Sequence, residues 1–92
     1  DIVNKCKATI AKYHPDLADG KLYFLSDSWR QLKDSKTKVV NFRAMDIGIV
    51  KEVDGQKWLY QFLFMQEAQV TLTNIVYLDN YILRGGSYCK VK

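Results

Sequence analysis

The chain has 92 residues, 48% of them apolar and 26% charged, with a formal net charge of +4. That composition describes one soluble globular domain over residues 1–92; it argues against intrinsic disorder and against a second independent core. No apolar run reaches the ~20 residues that a membrane-spanning helix needs, so no transmembrane segment is expected.

Residues 1–14 read as a helix. Ile2, Val3, Cys6, Ile10 and Tyr13 recur at spacings of three and four, with Lys5, Lys7 and Lys12 off that stripe. Asp1 suits the N-cap, and His14-Pro15 ends the helix because proline disfavours α geometry in the residue before it. The chain opens on Asp1 rather than Met and holds no signal-like apolar segment. The expectation is a processed precursor or an excised domain.

Strands are expected at about 21–29, 37–51, 56–66, 69–78 and 81–91. Leu22 to Leu25 is an unbroken apolar run, while Ser28-Trp29-Arg30-Gln31 fits either a capping box or continued strand. Residues 38–51 alternate well, and Gly48 within them suggests a bulge or bend. Asp54-Gly55 between two apolar runs is a strong hairpin signal. Trp58, Tyr60, Phe62 and Phe64 then alternate with Leu59, Leu63 and Met65, so both faces of that strand need cover. Gln66 to Gln69 reads as a weak break, Asp79-Asn80 as a turn and Arg84-Gly85-Gly86 as a loosening of the chain.

This is an α+β pattern: an N-terminal helix packed on a curved antiparallel sheet of four to six strands. In architecture alone it resembles cystatin-like and nuclear-transport-factor-like layouts; no family motif accompanies the likeness.

The charge is concentrated. Arg30, Lys33, Lys36 and Lys38 face only Asp34 within residues 30–38, and Arg84, Lys90 and Lys92 close the chain without an acid. Residues 58–83 between them carry only Glu67 and Asp79. The basic segment Arg30, Lys33, Lys36 and Lys38 is the candidate contact surface. Cys6 and Cys89 lie near the two ends, and an even pair in a small domain fits a disulfide formed in an oxidising compartment. Closing so long a loop would contribute ~4 kcal/mol in the chain-entropy view.

Catalytic signatures are missing: no G-x-S-x-G, H-E-x-x-H, P-loop or dinucleotide fingerprint occurs. The single histidine, His14, would lie ~12 Å along the helix from Cys6, too far for a nucleophile–base pair. His14, Asp16 and Asp19 are a loose set of metal donors without a recognised spacing, so neither metal nor cofactor is expected. Asp46 interrupts an apolar strand. Facing inward it would need a partner such as Arg43 or a tyrosine, and with Tyr60 and Tyr77 it is the candidate lining of a small-ligand pocket. Trp29 beside Arg30 and Tyr88 beside Lys90 pair aromatics with basic groups, yet no RNA-binding strand motif is present and nucleic acid is disfavoured.

The apolar strand faces exceed what one short helix can cover, which points to a partner. The expectation is a non-catalytic secreted or periplasmic interaction module, such as an inhibitor or a cell-envelope assembly subunit. It would bind another protein or a second copy of itself. The alternatives are a ligand-binding cone of the same fold and a basic nucleic-acid-binding or regulatory domain.

Overall fold

Asp1 caps the helix as its chemistry requires, its carboxylate accepting from the Asn4 N–H at 3.1 Å. The computed structural model describes residues 1–91; Lys92, one of the three terminal basic residues, lies outside them. Helix α1 runs Ile2–Tyr13, and a single 3₁₀ turn, Pro15–Leu17, follows it. His14 between them is neither helical nor capped by a side chain, as a residue preceding proline should be. Cys6, Thr9 and Ile10 form the buried stripe of α1.

Five strands follow: β1 (Lys21–Phe24), β2 (Arg30–Lys33), β3 (Val40–Val53), β4 (Gln56–Val70) and β5 (Ile75–Lys90). They make one antiparallel sheet in the order β1-β3-β4-β5, with β2 also paired to β3. β1 takes Ile47 to Val50 and β2 takes Val40 to Ala44, so two short strands share one edge of β3.

The Asp54-Gly55 hairpin forms as expected. Both residues have positive φ, 51° and 79°, the geometry whose twist matches the strands it joins. The expected bulge at Gly48 does not form, because the β3–β4 register runs unbroken from Phe42 to Val53. Glycine stands there for space: a Cβ would come within 2.8 Å of Leu59 Cδ1 and 3.3 Å of Leu25 Cδ1.

Three boundaries differ from expectation. The strand expected at 21–29 ends at Phe24, and Leu25 to Trp29 turns the sheet's corner, with Ser26 Oγ accepting from the Asp46 N–H at 3.0 Å. Gln66 to Gln69 is continuous strand, and the real turn lies at Thr71 to Asn74, where the Thr71 N–H and hydroxyl both donate to the Asn74 carbonyl. The strands expected at 69–78 and 81–91 are therefore replaced by the end of β4 and one long β5. Asp79-Asn80 and Gly85-Gly86 mark register irregularities inside β5 rather than its ends.

The core lies between α1 and one face of the sheet. Cys6, Ile10 and Leu17 meet Ile47, Ile49, Phe62 and Phe64, all buried. We call this the helix face. Cross-strand pairing assigns the rest of the face: Arg43 to Gln66, Ile49 to Tyr60, Phe64 to Leu83 and Gln66 to Tyr81. The alternate positions form a second face on which neither helical element packs; we call it the open face, although Ala44 and Met65 within it are buried by their neighbours. At ~1.5 Å per residue α1 spans about 18 Å. At ~3.3 Å per residue β4 spans about 50 Å, and the molecule itself extends 53 Å. The helix thus covers roughly a third of the strand length.

Candidate functional site

The expected Cys6–Cys89 disulfide is not formed. Both thiols are free, Cys6 buried and Cys89 exposed. The cause is strand parity. Tyr81 and Leu83 belong to the helix face, but between Gln61 and Leu63 of β4 the partner strand carries one extra residue at Gly85-Gly86. Beyond that bulge the faces exchange: Tyr88 pairs with Tyr60 on the helix face, and Cys89 pairs with Leu59 on the open face. The two sulfurs therefore sit on opposite sides of the sheet.

Burial pushes the Cys6 thiol up to about 12 from its usual 9.0, so it is neutral and unreactive at physiological pH. A thiol reagent should label one sulfur per native chain and two after unfolding. Because the Cys6 proton is held more tightly in the folded state, its contribution to stability is complete below pH ~9 and declines as pH rises toward 12. Two protected thiols in the non-reduced native protein would contradict this arrangement.

The residues Asp46, Tyr60 and Tyr77 do not share a pocket. Asp46 is on the open face, where Arg30 donates to it from Nη1 at 2.7 Å and Nη2 at 3.3 Å. These hydrogen bonds hold the carboxyl below the ordinary carboxylate range. The partner is Arg30 rather than Arg43, because Asp46 and Arg43 are an odd number of residues apart and project to opposite faces. Asp46 borders an open cleft of about 440 Å³ whose far wall is Arg84 to Ser87. Tyr60 lines a smaller recess of about 230 Å³ on the helix face, with His14, Phe62 and Tyr88. The His14 ring packs on Phe62 at 4.7 Å. Tyr77 lies elsewhere, paired with Ala68 and packed against Arg43.

The basic segment divides in two. Arg30 is neutralised by Asp46, while Lys33, Lys36 and Lys38 remain exposed around the β2–β3 turn. Asp34 organises that turn, its Oδ1 accepting from the N–H groups of Lys36 at 2.8 Å and Thr37 at 2.9 Å. Those two bonds lower its pKa. His14, Asp16 and Asp19 are not drawn together: Lys51 pairs with Asp19 at 3.2 Å and donates to the Asp16 carbonyl. Among the described residues no group of three or more His, Cys, Asp or Glu side chains could hold a metal ion. Trp29 packs on Phe64 and Arg43 rather than with Arg30, and Lys90 lies over Trp58, whose edge meets Tyr88.

The most organised polar arrangement was not evident in the sequence. The Arg43 guanidinium lies between two rings, its central carbon 4.2 Å from the Trp29 centroid and 4.1 Å from that of Tyr77. Its Nε donates to Gln66 Oε1 at 2.8 Å. Gln66, buried in β4, donates in turn from Nε2 to the Leu78 carbonyl at 2.9 Å and the Tyr81 hydroxyl at 3.1 Å. Gln31 donates to the Tyr77 hydroxyl at 3.3 Å, fixing the second ring. The only sequence signal was one of parity: Arg43 and Gln66 fall in step with the core residues of β3 and β4.

The open face is the other distinctive surface. Tyr23 and Leu25 are 42% and 47% exposed, and half-buried Leu32, Phe42, Leu59, Leu63 and Ile82 continue the apolar surface across the strands. The Arg30–Asp46 pair lies within it, and Asp46, Leu63 and Arg84 form one row across β3, β4 and β5. No protein-family model, no curated protein and no solved structure matches the chain.

Proposed function

We propose that this chain is a non-catalytic interaction module whose open sheet face binds another protein. The observation that carries the reading is the apolar character of that face. An antiparallel sheet with one solvated side normally shows polar groups there. Here Tyr23, Leu25, Phe42, Leu59 and Leu63 stand on it beside Arg30, Asp46 and Arg84. Contiguous apolar surface of this kind marks contact sites.

Charge favours an acidic partner over a second copy. The chain carries +4; on the open face Arg30 and Asp46 cancel, Glu52 stands opposite Lys57, and Lys21 and Arg84 outnumber Glu67. Two such faces would repel each other, and an acidic protein would be attracted.

A photo-crosslinking amino acid placed at Leu25 or Leu63, with Lys7 on the exposed side of α1 as control, tests the proposal. The expected result is an adduct to one polypeptide from the open-face positions alone. That polypeptide, once purified, should bind the wild-type chain and bind a Leu63→Glu variant at least about tenfold more weakly, a loss of ~1.4 kcal/mol. An adduct of twice the chain's mass would replace the partner protein by a second copy. Equal labelling from Lys7, or no adduct, would overturn the reading.

A further inference from the structure

The geometry points to a carboxylate-binding site on the helix face, formed by the guanidinium fork of Arg43 in the slot between Trp29 and Tyr77. It lies on the opposite side of the sheet from the surface discussed above and stands independently of it.

Four observations define the site. The guanidinium is fixed before any ligand arrives, by two rings and by the Nε hydrogen bond to Gln66. The rings are themselves held, Trp29 against Phe64 at 5.8 Å and Tyr77 through Gln31. Among the described residues neither Nη makes a side-chain hydrogen bond or ion pair, and no buried side-chain nitrogen or oxygen lacks a partner. Each Nη therefore keeps some contact with solvent. Finally, three acids of β3, β4 and β5 are engaged or turned away. Asp46 takes Arg30, Glu67 accepts from Asn80 and pairs in register with Phe42 on the open face, and Asp79 takes Lys5 at 2.8 Å. The exposed lysines of the β2–β3 turn, beside the start of β3, add positive potential at this end of the sheet.

An arginine needs no rigid setting to be soluble, and a purely packing role would be served by its stem alone. A rigid fork with free in-plane donors is the arrangement that recognises an oxyanion bidentately. The rings choose among oxyanions. With its central carbon 4.1–4.2 Å from both ring centroids, the guanidinium offers its Nη edge as the approach for a ligand. A carboxylate is flat and enters coplanar with the guanidinium. A tetrahedral phosphate brings only two of its oxygens into that plane and holds the others out of it. Nucleobases find the inner faces of both rings already occupied. The ligand class is thus a carboxylate-bearing peptide, presented by an acidic side chain or by a chain terminus.

Titration of the wild-type protein, followed through the Arg43 Nε–Hε and Trp29 indole N–H signals in NMR, tests this. Three probes are used: a C-terminally amidated peptide with Asp and Glu side chains, a peptide with a free C-terminus and no acidic side chain, and inorganic phosphate. Saturable movement of both signals with at least one peptide, and little with phosphate at equal ionic strength, is the expected result. Which peptide binds tells the two carboxylate sources apart. Arg43→Lys keeps the charge but removes the fork, and its affinity should fall about tenfold or more. Phosphate binding as tightly as the peptides would overturn the ligand class. Signals unmoved by every probe, or an Arg43→Lys chain that folds and binds equally well, would overturn the site. The wild-type titration decides alone if that variant does not fold.

Discussion

Truncating Phe64 to alanine is expected to cost about 3–5 kcal/mol, the range for a fully buried aromatic ring. Phe64 is 0% exposed. Its ring stacks on Tyr81 at 5.3 Å with planes only 7° apart and meets Trp29 at 5.8 Å. It is flanked in register by Met45 and Leu83. The cavity left behind would join the helix, the middle of the sheet and the Trp29 end of the molecule. Total stabilities of small domains are about 5–15 kcal/mol, so much of the margin would be lost. At ~4–8 °C per kcal/mol for a chain this size, Tm should fall by roughly 12–40 °C. Urea and thermal unfolding measure this directly. A loss under about 1 kcal/mol would mean that the ring does not occupy the position described.

Gln66→Ala is the second large effect, expected to cost about 2–4 kcal/mol for a different reason. Gln66 is 6% exposed and uses its whole amide, accepting from Arg43 Nε and donating to the Leu78 carbonyl and the Tyr81 hydroxyl. Removing it withdraws a charge-assisted acceptor from Arg43 and a donor from the part-buried Leu78 carbonyl, while adding little apolar burial. The loss should be accompanied by broadening of the Arg43 Nε–Hε signal and weaker carboxylate binding. Stability unchanged within about 0.5 kcal/mol would contradict the network. The two substitutions separate packing from polar order in neighbouring positions of one strand.

Much of the architecture could be read from the residues. The helical stripe through Cys6 and Ile10, the proline stop after His14, the Asp54-Gly55 hairpin and the alternation along β3 and β4 are local signals, and local geometry satisfied them. The errors came where polar residues serve a tertiary purpose. Gln66 to Gln69 looked like a break because an isolated glutamine argues against a buried strand, and only Arg43 and Tyr81 from neighbouring strands make it satisfiable. Gly85-Gly86 looked like loosened chain. It is a one-residue bulge, and that single residue decides which way Cys89 faces. The candidate site was less legible still. Asp46 drew attention as the charge inside an apolar strand, but Arg30 answers it. Arg43, which also interrupts that strand, matters through Trp29 from a corner loop and Tyr77 from β5, neither of which sequence spacing could bring to it.

The contact between the first element and the last has a kinetic consequence. α1 leans on β5, with Lys5 bonded to Asp79 across 74 positions of sequence. During synthesis the helix therefore emerges before every strand it packs on and is among the latest elements to find its seat. Its stripe of Cys6, Thr9 and Ile10 stays uncovered until the β3–β4 hairpin has formed and β5 has been laid beside it. Closing so long a loop is slow, and exposed apolar surface in the interval invites misassembly. Refolding of this small chain should be governed by helix docking rather than by hairpin formation.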